Sequence, residues 1–270
     1  MHLGIGSYTY PWAIGVPTHP PKCPMTATDL LDRAAEFGVH LVQVADNLPL
    51  HELSDSDFDR FEDRMTRLGI RVEVGTRGIA PDHLRTYLHL AQRLGSPILR
   101  TVIDTGAHHP PEDEIVDTLK ALMPEVERAG VVLAIENHDR FPARTLVRIL
   151  ERIDSDHIGI CLDTVNSFGA LEGPDVVVDV LGPWVVNLHI KDFRISRATH
   201  MMGFTIEECP AGQGRLEVRR LLERLGTLGR DPNAIIELWT PPEETVAETI
   251  AKENAWAIES IAYLRRYIPG

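Results

Sequence analysis

The sequence predicts an α/β protein, a single-domain (β/α)8 barrel that covers residues 1–270, and three observations support this prediction. Short β-rich runs alternate with helical segments along the whole chain. The second to seventh runs begin at residues 41, 71, 98, 131, 157 and 185, a spacing of roughly 30 residues that suits one βα unit. Eight such units follow one another without a linker, which favours parallel strands closed into a barrel.

The predicted strands are runs rich in Val, Ile and Leu. They cover 3–10, 41–46, 71–76, 98–104, 131–138, 157–164, 185–192 and 234–239. Several of the segments between them begin with Ser, Thr, Asp or Pro and end with Gly, which are typical first and last residues of helices. The clearest predicted helices cover 28–38, 56–69, 81–95, 111–130 and about 242–267.

An open, doubly wound sheet is the alternative fold. It would need a glycine-rich phosphate loop after the first strand, and "GIGSYTYPW" does not match G-x-G-x-x-G followed by a helix. Two long connections follow strands one and seven, at the face where barrel enzymes carry their sites. We expect the second, which includes "HMMGFTIEECPAGQG", to form a lid, a plug over the barrel rim or a dimer contact.

Composition limits the classes of partner. No apolar run approaches the roughly 20 residues that span a membrane, and the N-terminal residues lack the pattern of a signal peptide. Three scattered cysteines argue against a disulfide framework and fit a reducing cytoplasm. The formal net charge of −13 disfavours nucleic acid and anionic lipid. We expect a cytoplasmic protein without either partner, and a homo-oligomer is compatible with the sequence.

Polar residues end four consecutive predicted barrel strands. Because alternate strand residues point into the lumen, these side chains are expected to face a common point. They are Glu136, Asp163, His189 and Glu237. Three carboxylates and an imidazole would repel one another without a cation. The set therefore predicts one divalent ion, with Mn²⁺ favoured and Mg²⁺, Co²⁺ or Zn²⁺ as alternatives. The competing interpretation of each carboxylate is an ion pair with a neighbouring Arg or Lys.

Cationic residues on strands three, four and seven and in the long connection after strand seven suggest an anionic substrate, a carboxylate or phosphate. Lys191 shares the face of His189 and lies nearer the barrel mouth, so we include it among the catalytic candidates. Trp239 is a candidate for the wall of the pocket. The remaining substrate-binding candidates are Arg77, Arg100, Arg194, Arg197 and His200. The alternative is that most of these arginines form surface ion pairs.

Four motifs, "AIENHD", "CLDTVNS", "NLHIKD" and "IIELW", resemble the ligand motifs of the xylose isomerase-like TIM-barrel family. That family includes sugar isomerases, ketose 3-epimerases, inosose dehydratases and AP endonucleases. The resemblance implies that Glu136, Asp163, His189 and Glu237 bind one divalent metal. In its epimerase branch, the two glutamates also move protons on opposite faces of the substrate.

One position departs from the epimerase pattern. Asn166 stands where those enzymes usually have His, and Asn can bind a substrate hydroxyl but cannot act as a general acid. The predicted function is a metal-dependent isomerase or epimerase that moves a proton in a small keto-sugar or sugar-acid derivative through an enediolate. The enzymatic alternative is a decarboxylase or dehydratase, a lyase of a 3-oxo sugar acid or keto-inositol. A non-catalytic barrel subunit is the rival from another class. The net charge and the shortage of histidines disfavour an endonuclease.

Overall fold

Eight parallel strands close into a barrel in the computed structural model, which describes residues 1–269. Each strand pairs with its neighbours in chain order, and the last barrel strand closes against the first. The predicted fold class is therefore confirmed. The barrel strands are β1 (Leu3–Gly6), β2 (Leu41–Val44), β3 (Arg71–Arg77), β4 (Ile98–Val102), β5 (Val132–Glu136), β6 (Ile158–Asp163), β7 (Val185–Ile190) and β10 (Asn233–Ile236).

Helices surround the barrel and bury their apolar stripes against it. Their ends follow local chemistry. Thr26, Ser54 and Thr245 each accept a backbone N–H of the first turn of the helix that follows them. Left-handed Gly69 ends the helix that Ser54 begins, and left-handed Gly95 ends the next one. The helices are α1 (Pro11–Ile14), α2 (Ala27–Glu36), α3 (Asp55–Leu68), α4 (Pro81–Leu94), α5 (Glu112–Ala129), α6 (Ala143–Ile153), α7 (Pro174–Leu181), α8 (Val218–Thr227) and α9 (Val246–Leu264). None of these described helices is long and apolar enough to span a bilayer.

The connection after β7 contains a two-stranded antiparallel hairpin of β8 (Asp192–Arg197) and β9 (Phe204–Cys209). Its base is fixed by the buried carboxylate of Asp192. That carboxylate accepts backbone N–H groups from Phe193 and Gly212 at 2.8 Å, and from Gly214 and Leu216 at 2.9 Å. A side chain at position 214 would overlap with this carboxylate, so glycine is required there. The hairpin is thereby held beside the ends of the barrel strands.

Strand register brings the predicted ligands together. Ile160 pairs with Val185, but the next residue, Cys161, pairs with Asn187, so β7 carries one extra residue at this point. This bulge places Asp163 directly opposite His189. Because all barrel strands run parallel, their carboxyl ends lie on the same face of the molecule.

Candidate active site

The four predicted ligands lie together at the carboxyl ends of the barrel strands. Glu136 ends β5, Asp163 ends β6, His189 lies in β7 and Glu237 directly follows β10. All four are buried. One ligand atom each of Asp163, His189 and Glu237 lie within 4.8 Å of one another, and Glu136 forms a second such group with His189 and Cys161. His189 therefore lies at the centre of the cluster.

A buried amide network fixes the orientation of the His189 ring. The amide nitrogen of Gln43 donates to Glu73 at 3.2 Å and to Asn187 at 3.0 Å. Its oxygen is then left to accept from Nε2 of His189, 2.7 Å away. In the neutral ring, this bond keeps the proton on Nε2 and leaves the lone pair of Nδ1 free for a metal.

The space beside Nδ1 fits a cation. Nδ1 lies 3.0 Å from Glu237 and 3.2 Å from Glu136, and it has no hydrogen-bond partner among residues 1–269. Burial lowers the pKa of His189, but Glu237 and Glu136 outweigh it and raise that pKa above its ordinary value. The carboxylates thus favour a positive charge at this point. A divalent ion would supply that charge in place of a second ring proton.

Lys191 lies beside the cluster and is buried. Its Nζ is 2.9 Å from carboxylate oxygens of both Asp163 and Glu237. Burial lowers the pKa of Lys191, but Asp163 and Glu237 outweigh it and raise that pKa well above its usual range. The lysine therefore keeps its charge while bridging two of the predicted ligands.

Arg100 holds the opposite side of the cluster. Its Nε donates to Glu136 at 2.5 Å, and its guanidinium also donates to Asp46 at 3.0 Å. Burial raises the pKa of Glu136, but Arg100 and His189 outweigh it and hold that pKa well below its ordinary value. Arg77 donates to the same Asp46 at 3.0 Å and remains partly exposed at the barrel mouth.

Asn166 and Trp239 connect the cluster to open space. Asn166 begins a short 3-10 helix, donates to Glu136 at 2.8 Å and accepts from Lys191 at 3.3 Å. The ring centroid of Trp239 lies 4.3 Å from Nζ of Lys191. Both residues line a cavity of about 350 Å³. A larger groove of about 740 Å³ between α7 and α8 is lined by neither Asn166 nor Trp239, so the smaller cavity is the candidate substrate space.

The hairpin places its predicted substrate-binding residues elsewhere. Arg194 donates to Gln213, Arg197 donates to the carbonyl of Met201, and the ring of His200 accepts from the backbone of Met202. These contacts are exposed, and none of these residues lines the 350 Å³ cavity. The structure thus brings Arg100, Lys191, Asn166 and Trp239 to the cluster, with Arg77 next to it. Substrate binding by Arg194, Arg197 and His200 stays a prediction.

The sequence patterns missed several residues of the site, among them Gln43, Glu73 and Glu208. Gln43 and Glu73 lie in β2 and β3, deep in the lumen, and no sequence motif identifies them. Glu208 lies in β9 and lines the cavity beside Trp239. The sequence signal for Glu208 is the alternation of apolar and polar residues in "FTIEEC". This alternation points to the cavity only after the hairpin itself has been predicted.

Comparison with protein-family models gives a match to the xylose isomerase-like TIM barrel over residues 31–267. The chain belongs to this family. The predicted resemblance is therefore confirmed over most of the chain, and the family includes enzymes.

Two kinds of relative accompany that match. The chain is 34% identical to a 3-oxo-isoapionate decarboxylase from Pectobacterium atrosepticum over 98% of its own length and 95% of the relative. It also resembles a D-psicose 3-epimerase solved in the presence of D-fructose, with a TM-score of 0.74, 15% identity and full coverage of both chains. A xylose isomerase-like protein from Mycobacterium smegmatis in complex with magnesium gives a TM-score of 0.71 at 14% identity, covering 97% of each chain. At these identities the two solved structures support the fold alone.

Proposed function

We propose that this protein is a divalent-metal-dependent decarboxylase of a 3-oxo sugar acid, the lyase alternative of the two predicted reactions. The observation that carries the proposal is a pair of buried cations, Lys191 and Arg100, beside the ligand cluster of a chain that is 34% identical to a 3-oxo-isoapionate decarboxylase. Both cations pair with carboxylates of the site, so the net charge of the cluster decides whether an anionic substrate fits.

The charges of the cluster favour a substrate with one carboxylate. The cluster has three carboxylates, on Glu136, Asp163 and Glu237, and two cations, on Lys191 and Arg100, so its net charge is one negative. The charge of Asp46 is balanced by Arg77. A divalent ion would reverse this to one positive charge. A substrate carboxylate would then leave the site neutral, and a buried site is most stable when its charges are matched.

The metal would be held by Glu136, Asp163, His189 and Glu237. When bound, a divalent ion supplies a Lewis acid that stabilises negative charge on substrate oxygens. Mn²⁺ is our first choice because the donor set is three oxygens and one nitrogen. A cytoplasmic location and a homo-oligomer stay predictions. The exposed side chains of Met201, Met202 and Phe204 on the hairpin are compatible with a contact between subunits.

The residues around the cavity have distinct roles in this reaction. The bond between the carboxylate carbon and C2 breaks, its electron pair moves toward the C3 ketone, and carbon dioxide leaves. Lys191 stabilises the resulting negative charge because its ammonium is desolvated and fixed in place. Asn166 offers an amide to a substrate hydroxyl, and Trp239 forms one wall of the cavity.

The contacts of Glu136 favour decarboxylation over epimerisation. A 3-epimerase needs two carboxylates that remove and return protons. In this chain one oxygen of Glu136 accepts from Arg100 and the other accepts from Asn166. Both oxygens of Glu136 therefore accept hydrogen bonds before a substrate enters. A carboxylate fixed in this way suits a decarboxylase better than an epimerase, which needs a base that takes up and releases a proton.

The proposal is tested with 3-oxo-isoapionate labelled with ¹³C at its carboxylate. We expect the Mn²⁺-loaded protein to release one ¹³CO₂ per substrate consumed. D-Fructose in D₂O serves as the epimerase substrate, and we expect no deuterium to enter its C3 position. If deuterium enters D-fructose and no ¹³CO₂ is released, the proposed decarboxylase is wrong and the protein is an epimerase.

A further inference from the structure

Glu208 is a buried carboxyl group at the edge of the cavity, on the hairpin strand β9. Only 7% of the residue is exposed. Its Oε2 accepts the backbone N–H of Trp239 at 2.5 Å. Its Oε1 is buried and has no hydrogen-bond partner within residues 1–269. Asn166, which donates to Glu136, and Trp239, whose ring lies beside Lys191, line the same cavity.

The surroundings of Glu208 favour its neutral form. Burial, together with the negative charges of Asp163 and Glu237, raises the pKa of Glu208 to about 8, although Lys191 and the backbone N–H of Trp239 lower it. Lys191 is already bonded to those two carboxylates. Because Oε2 accepts from Trp239, the proton is assigned to Oε1, the oxygen without a partner.

A decarboxylase needs such a proton donor. After carbon dioxide leaves, the electron pair remains in an enolate that joins C2, C3 and the C3 oxygen, and C2 must gain a proton to give the stable ketone. Asn166 carries no acidic proton, and Lys191 is bonded to Asp163 and Glu237. The cavity therefore needs another acid.

We propose that Glu208 is the general acid that protonates C2 after decarboxylation. This inference rests on the proposed function. The proton moves from Oε1 of Glu208 to C2 as the C3 carbonyl forms again. Glu208 becomes a carboxylate and regains a proton from water when the product leaves. Delivery from one wall of the cavity gives the new C–H bond a single configuration.

Replacing Glu208 by Gln tests this step, because the amide keeps the shape and the bond to Trp239 but has no acidic proton. With 3-oxo-isoapionate in D₂O, the wild-type product should carry deuterium at C2 in one configuration. Glu208→Gln should lower kcat by about 100-fold or more with KM little changed, and its product should carry deuterium in both configurations. Glu208→Asp should regain a single configuration.

The pH profile gives an independent measurement. The acid must hold its proton, so wild-type kcat should fall as the pH rises through about 8. That decline should be absent in Glu208→Gln, whereas a merely structural role would leave the profile unchanged.

Glu253 in α9 provides a matched control. It is also a buried glutamate that accepts backbone N–H groups, those of Trp12 and Ala13, and burial raises its pKa to about 8. It does not line the cavity. Glu253→Gln should keep kcat within about threefold of wild type, within the spread expected for a change away from the reacting atoms.

Two outcomes are decisive and distinguishable. Wild-type kcat together with single-configuration deuterium in Glu208→Gln would overturn the role of Glu208 while the decarboxylase stands. A wild-type protein that releases no carbon dioxide would overturn the proposed function, and the role of Glu208 with it.

Discussion

Replacing Glu136 by Gln is expected to lower kcat/KM for decarboxylation by at least about 10³-fold. The amide keeps the volume of the side chain but removes the negative charge that faces Arg100 at 2.5 Å and His189 at 3.2 Å. Loss of that charge takes from the buried Arg100 one of its two carboxylate partners. It also removes one predicted oxygen ligand.

The matched measurement is the Mn²⁺ content of the same variant. We expect Glu136→Gln to bind Mn²⁺ more weakly than wild type. Glu253→Gln, the same substitution of a buried glutamate away from the site, is the control. Full activity in Glu136→Gln would exclude this carboxylate from the reaction and from the essential metal ligands.

Replacing Lys191 by Met should separate metal binding from turnover. Methionine has similar length and no charge, so the two carboxylates 2.9 Å from Nζ lose a competing cation. We expect Mn²⁺ to bind more tightly to Lys191→Met than to wild type. We also expect kcat to fall by about 10²- to 10³-fold, because the fixed positive charge beside the substrate is lost.

Manganese titration and steady-state kinetics on the same preparation measure both effects. Lys120→Met is the control, since Lys120 lies on the exposed surface and, among residues 1–269, donates only to the carbonyl of Arg152. Unchanged kcat in Lys191→Met would reduce Lys191 to a counterion that balances the carboxylates when no metal is bound.

The barrel and the four converging side chains could be predicted from the sequence for one physical reason. Parallel strands joined by helices place all their carboxyl ends on one face, and the alternation of side chains decides which residues point inward. Glu136, Asp163 and His189 therefore follow from strand boundaries alone. Glu237 follows although β10 ends one residue before it.

The remainder of the site depends on contacts between residues that are distant in the chain. The hairpin is fixed by Asp192 through bonds to residues 212–216, and its outer strand residues are largely exposed, so no buried run indicates it. Gln43 orients His189 from 146 residues away. Glu208 reaches the cavity only because the hairpin folds back toward Trp239.

The divalent metal content of the purified protein, beside an Asp163→Ala, His189→Ala double variant, tests the metal centre most directly. Elemental analysis should give about one Mn²⁺ per wild-type chain after incubation with MnCl₂ and removal of excess ions, as a four-ligand site holds one ion. The double variant should retain none. A wild-type chain that binds no divalent ion under these conditions would contradict the metal centre, and the four strand ends would then form a charge network balanced by Lys191 and Arg100.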